Sequence, residues 1–228
     1  AGWGAREIML PHTTEVLKLL KDNGIEVQWV QTGNEVNDGF LWETCRLSKN
    51  ASAFASVANA AYDAVKGVYP DAIVIMHRSE GQDKSGFEWF LGTLKSAGVK
   101  YDMIGMSLYP SWWDSSKKGY TDWKSYTQSM VSNIGNFYRS YGKKVMVCEF
   151  SAPYTYGDGD DNGNSISEDS YFYGEKQYSV SVQGQADCIY DYINDLSALG
   201  DKCLGVFWWE PAWIPAPGKN REERQALW

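Results

Sequence analysis

The chain has 228 residues, 43% of them hydrophobic, and sets 21 Lys and Arg against 29 Asp and Glu for a formal net charge of −8. An acidic chain without a Lys/Arg block has no electrostatic footprint for a phosphate backbone or an anionic lipid surface, and no run approaches the ~18 consecutive apolar residues of a membrane span, so neither nucleic acid nor a membrane is an expected partner. The 11 Trp and 15 Tyr are the unusual entries, fitting rings offered to sugars as well as plain packing.

In chain order, a helix is expected from Thr13 to Asp22, with Val16, Leu17, Leu19 and Leu20 on one side and Asn23-Gly24 as its stop. A strand from Gln28 to Thr32 follows, ending at Gly33-Asn34-Glu35. Phe54, Val57, Ala58, Ala61, Val65 and Val68 recur at helical spacing until Pro70, and the strand Ala72 to Met76 leads to His77. Phe87, Phe90, Leu91 and Leu94 mark a helix before the strand Met103 to Tyr109. Trp123, Tyr126, Met130, Ile134, Phe137 and Tyr141 mark a longer one before Val145 to Glu149, and Ala186, Ile189, Tyr190, Ile193 and Leu196 a last one before Leu204 to Glu210.

Helix and strand thus alternate, and the strands are apolar throughout, as strands covered on both faces are. Polar residues gather just past the strand ends, where (β/α)8 barrels keep their chemistry, and no glycine-rich phosphate loop follows any strand. The expected fold class is therefore α/β, a (β/α)8 TIM barrel, here incomplete with about five of eight strands. Residues 1–228 are read as a single catalytic domain, N-terminally incomplete and C-terminally clipped. Cys45, Cys148, Cys188 and Cys203 have no metal-ligand spacing, and Cys148 and Cys203 lie in apolar strands as expected buried free thiols.

Two strands end in a glutamate, Glu35 and Glu149. Glycoside hydrolysis needs such a pair, one carboxyl protonated toward the leaving oxygen and one ionised toward the anomeric carbon, at ~5–5.5 Å for retention and ~6.5–9.5 Å for inversion. Strand-end glutamates that merely pair with lysine are the plain alternative.

Asn34-Glu35 at a strand end resembles strand four of the clan A glycoside hydrolases, with Glu149 three strands later at the place of that clan's nucleophile. The stretches WVQTGNEVNDGFLW (Trp29 to Trp42), DMIGMSLYPSWW (Asp102 to Trp113), VMVCEFSAPYT (Val145 to Thr155) and GVFWWEPAWIP (Gly205 to Pro215) are similar to glycoside hydrolase family 53, the endo-β-1,4-galactanases. The resemblance runs from about residue 14 to the end. It implies Glu35 as general acid/base and Glu149 as nucleophile, Asn34 on the sugar 2-hydroxyl, Tyr109 on the nucleophile, and Trp209 as the floor of subsite −1. Trp112, Trp113 and Trp213 fall in loops beyond strand ends, as sugar platforms or as packing, and His77 as a cleft residue or a structural one.

Oxygen-bearing side chains alternate at Asp160, Asn162 and Asn164 after the seventh barrel strand, and the segment resembles the calcium-binding insertion of bacterial family members, with Asn162 where a histidine is usual. A structural calcium ion or an ordinary solvated turn both fit. No organic cofactor is expected. The resemblance further implies a galactan polysaccharide as substrate, a secreted or extracellular location with no export signal inside the chain, and a monomer when the barrel is complete. Two other readings stand beside this one: a clan relative acting on another β-1,4-glycan such as mannan, and an inactive fragment that at most binds sugar.

Overall fold

The computed structural model describes residues 3–109, 122–159 and 178–212. Helices and strands alternate in the order α1 (Trp3–Asp22), β1 (Trp29–Gln31), α2 (Ala51–Val68), β2 (Ile73–Arg78), α3 (Lys84–Ser96), β3 (Met103–Leu108), α4 (Trp123–Tyr141), β4 (Val145–Phe150), α5 (Val182–Ser197) and β5 (Cys203–Trp208). The sheet order is β1-β2-β3-β4-β5, the order of the sequence. β1 and β2 pair in parallel with Val30 opposite Val74, as do β2 and β3 with Met76 opposite Ile104. Parallel neighbours need a crossover connection, and α2 to α5 supply the four between successive strands. The fold is α/β of the (β/α)8 barrel type, with five strands among the described residues, and every expected strand lies within two residues of its observed limits.

The chain divides into two compact units, the first taking in residues up to Ser79, Asp83–Met106 and Gly142–Met146, the second Glu80–Gln82 and the remaining described residues beyond Met106. In the first unit, α2 starts where the Asn50 side chain accepts the N–H of Ala53 at 3.2 Å, so one orphan donor of the first turn is satisfied. Its alanine-rich sequence favours helix, and its apolar stripe supplies Val65 and Val68 to a core with Leu17 of α1, Tyr69, Ala72 and Val74. Lys21 closes that corner by donating from Nζ to the Val68 carbonyl at 2.8 Å, and the Tyr69 hydroxyl donates to the Ile25 carbonyl at 2.7 Å.

Asp102 ties three elements of this unit together. Its carboxylate accepts from the Val74 N–H at 2.9 Å and the Tyr62 hydroxyl at 3.1 Å, and pairs with Lys66 at 2.8 Å. Burial alone would raise its pKa, but these three donors outweigh that and hold it below the usual carboxylate range.

The second unit is built on aromatic rings. Phe150 stacks on Tyr192 at 4.3 Å between centroids and 17° between planes, and Trp208 meets Phe150 edge-on at 5.4 Å. From α4, Trp123 reaches the same ring at 6.1 Å. The Gln185 amide, buried in α5, donates to the Ala152 carbonyl at 2.8 Å and so fixes the turn after β4.

Two expectations need correction. The first helix starts at Trp3, not Thr13, and Pro11 lies inside it. Proline removes a helical donor and so reads as a boundary, yet α1 continues through it. The four cysteines are free, with Cys203 buried as expected, but Cys148 is only half-buried. No helix among the described residues is long and apolar enough to cross a membrane.

Candidate active site

In the first unit, the chain leaving β1 stays bonded to β2: the Thr32 N–H donates to the Ile75 carbonyl at 3.2 Å and the Val36 N–H to the His77 carbonyl at 2.9 Å. Between these bonds the backbone turns sharply. Gly33 has φ +106, and a Cβ there would meet Val36 Cγ1 at 2.7 Å, so only glycine fits. Glu35 itself has φ 46, a left-handed conformation that costs a residue of its kind about 1–2 kcal/mol. Strain of this sort concentrates at functional positions, because the geometry it gives is otherwise unreachable.

His77, at the end of β2, is fully buried, and burial pushes its pKa down to about 4, so the ring is neutral near pH 7. Its Nδ1 accepts the Glu35 N–H at 3.4 Å. A neutral imidazole that accepts at Nδ1 carries its proton on Nε2, so the histidine holds the Glu35 backbone with one nitrogen and offers a donor with the other. Asn34 is exposed, and its carboxamide oxygen accepts from Gln31 Nε2 at 2.9 Å, which leaves the NH2 end as its donor side. Next to it, the Asn37 amide and Ser79 exchange two bonds, Asn37 Nδ2 to Ser79 Oγ at 2.6 Å and Ser79 N–H to Asn37 Oδ1 at 2.9 Å, which tie the two strand ends together.

In the second unit, Glu149 stands near the end of β4 with 6% of its surface exposed, and the Tyr109 hydroxyl just past β3 donates to its Oε2 at 2.6 Å. A carboxylate held by such a donor has one oxygen fixed in place, and that sets the direction of the other. The Trp209 N–H donates to the Phe150 carbonyl at 2.9 Å, extending the β4–β5 pairing, while its ring is 37% exposed at the strand end. Glu210 follows in a left-handed conformation with φ 53, and burial pushes its carboxyl up.

The family model "Glycosyl hydrolase family 53" matches residues 5–227. The chain belongs to glycosyl hydrolase family 53. It is 31% identical over 218 residues to an "Endo-beta-1,4-galactanase" of Bacillus subtilis (strain 168), covering 95% of this chain and 46% of that one. With an "Arabinogalactan endo-beta-1,4-galactanase" of Cellvibrio japonicus (strain Ueda107) it shares 27% over 210 residues, 89% of this chain and 51% of the other. Among solved structures it matches the "Ignisphaera aggregans GH53 catalytic domain" with a TM-score of 0.86 and 30% identity, over 99% of this chain and 61% of that one. A structure of fungal β-1,4-galactanases shares the fold with a TM-score of 0.72 at 24% identity, over 93% of this chain and 59% of that one. The family 53 chain spans about half the length of the curated relatives it matches.

Of the positions singled out in the sequence, the family 53 chain places Asn34, Glu35 and His77 at the strand ends of its first unit, and Tyr109, Glu149 and Trp209 at those of its second. Trp112, Trp113 and Trp213, and the calcium candidates Asp160, Asn162 and Asn164, lie outside the described residues. Missed in the sequence were the Nδ1 bond of His77, which has no sequence signal, and Trp42. The signal for Trp42 was available: a tryptophan in the loop that begins with the candidate acid.

Proposed function

We propose that this chain carries the catalytic strands of an endo-acting, retaining β-1,4-galactanase, an O-glycosyl hydrolase cleaving the galactan of arabinogalactan and pectin side chains. The observation that carries it is the 2.6 Å hydrogen bond from Tyr109 to Glu149 at the ends of two parallel strands in a family 53 chain. The names of the relatives from Bacillus subtilis and Cellvibrio japonicus support the substrate.

In this reading Glu149 attacks the anomeric carbon as Glu35 gives its proton to the departing glycosidic oxygen; the C1–O bond breaks and a glycosyl ester forms. Glu35, now ionised, takes a proton from water, which attacks C1 and releases Glu149. Asn34 donates to the 2-hydroxyl, where hydrogen bonds strengthen in the transition state. Tyr109 holds Glu149 in line, and Trp209 gives the ring in subsite −1 an apolar floor. The chain is read as a single catalytic domain that acts as a monomer. It works outside the cell, where a polymer too large to cross a membrane is met.

The test is incubation with linear β-1,4-galactan, mannan, xylan and arabinan, with product anomers followed by NMR. Release of β-anomers from galactan alone is expected. Release of α-anomers, or cleavage of another glycan in preference, overturns the reading. Glu35→Gln and Glu149→Gln should each lower turnover by about 10²–10⁴-fold. The spacing of Asp160, Asn162 and Asn164 supports a calcium ion on that segment. Added calcium should then raise the melting temperature and a chelator lower it, and an unchanged melting temperature would remove the ion from the proposal.

A further inference from the structure

The loop that follows Glu35 is unusually well tied down. Gly39 bridges to Arg46, the Leu47 N–H donates to the Asp38 carbonyl at 3.0 Å, and the Cys45 N–H to the Leu41 carbonyl at 3.2 Å. A Cβ on Gly39 would lie 2.1 Å from the Cys45 carbonyl oxygen, so the two arms can close only around glycine. Val36, Cys45 and Leu47 are buried beneath, and Phe40 packs on Phe54 of α2 at 4.7 Å. The anchoring is of core quality, yet at the tip of the loop the chain turns through Leu41, with φ 50, and exposes 57% of Trp42.

That indole is held from two sides. Its Nε1–H donates to the Asp38 carbonyl at 3.1 Å, and the Arg46 guanidinium lies 4.3 Å from the ring centre. Arg46 is fixed in turn by Asp38 at 2.7 Å, whose carboxylate also accepts the Ser48 N–H at 2.6 Å and the Ser48 hydroxyl at 2.8 Å. An exposed tryptophan needs none of this for stability. Leaving 57% of the largest apolar side chain in water is unfavourable, and a ring edge and one face bonded in place describe a surface oriented for contact.

We propose that Trp42 is a sugar-stacking platform on the leaving-group side of the cleavage point, binding a galactose unit through the free face of its indole with Arg46 and Asp38 as positioning residues. The side follows from Glu35, which starts the same loop: an acid must stand beside the leaving oxygen, so the sugars behind that oxygen lie along the acid's loop. The apolar face of galactose, a patch of C–H bonds, suits the indole, and the cation behind the ring restrains it from turning away. The inference rests on the galactanase reading above and adds a specificity residue to it.

The test compares Trp42→Ala and Trp42→Phe with the parent on galactan and on an aryl β-galactobioside, whose leaving group places no sugar on that side. Trp42→Ala should lose about tenfold in kcat/KM on galactan, the equivalent of one lost ring contact, and keep its rate on the aryl substrate. Trp42→Phe should recover most of the loss. Equal losses on both substrates, or none on galactan, overturn the proposal. Calorimetric titration with β-1,4-galactotetraose gives a readout without turnover: about tenfold weaker binding by Trp42→Ala supports the platform, and unchanged affinity overturns it. A parent that binds the tetraose through Trp42 but never cleaves galactan would sink the catalytic reading and leave the platform standing.

Discussion

A hydroxyl 2.6 Å from a buried carboxylate oxygen fixes where the other oxygen points, and Tyr109 does this for Glu149. Removing a hydrogen bond to a charged group costs about 1.5–3 kcal/mol. Tyr109→Phe should therefore lower kcat/KM on galactan by about 10–100-fold with little change in melting temperature. His77 gives a prediction about stability. Its folded pKa lies at about 4, below the ordinary 6.5, so between those values the unfolded chain binds a proton that the native one does not. Its contribution is complete above pH 6.5 and is lost as pH falls toward 4, about 2 kcal/mol of it by pH 5. Urea unfolding at pH 7 and pH 5 checks this: His77→Gln should show a smaller difference between the two than the parent does. At this scale the strand-end places of Asn34, Glu35, Tyr109 and Glu149 were legible because apolar runs mark where strands stop, while the roles read for Asn34 and Tyr109 came from the family resemblance. The protonation and partner of His77 were not, since burial sets the first and a turn residue 42 positions away supplies the second.

Elements were legible wherever periodicity had no competitor. Each strand that follows an amphipathic helix appeared where expected, since a buried parallel strand is a short apolar run with few other uses. The N-terminal half of α1 was hidden by Pro11, whose local preference is to end a helix, yet α1 runs through it and joins the core beyond it, at Leu17. A carboxylate serving three elements is equally invisible in sequence. Asp102→Ala would strand the Val74 N–H and the Tyr62 hydroxyl and unpair Lys66, costing about 1–3 kcal/mol in urea unfolding at pH 7. Because its folded pKa is depressed, this stabilisation is present above its unfolded pKa and disappears as pH falls through the folded one. The deficit of the variant should accordingly shrink below about pH 4.

The whole molecule has β1 and β5 at the ends of its strand order, with Trp29, Leu204 and Phe207 partly exposed on them. Apolar side chains left in water favour association, while a net charge of −8 keeps like chains apart. Salt removes that protection by screening, so light scattering should show the chain associating more at 0.5 M NaCl than at low salt, and Phe207→Lys should reduce the effect. Strand number and order were legible from the sequence. The division into two units was not, because periodicity reports which face of an element is buried and not which elements are buried together.

The left-handed backbone at Glu35 makes one further position measurable. A side chain that accepts φ 46 without cost, such as asparagine, would relieve about 1 kcal/mol there, raising the melting temperature by about 2–4 °C. Glu35→Asn should then be the more heat-resistant protein and the catalytically dead one, and a screen that ranked variants by thermal survival alone would select against the reaction.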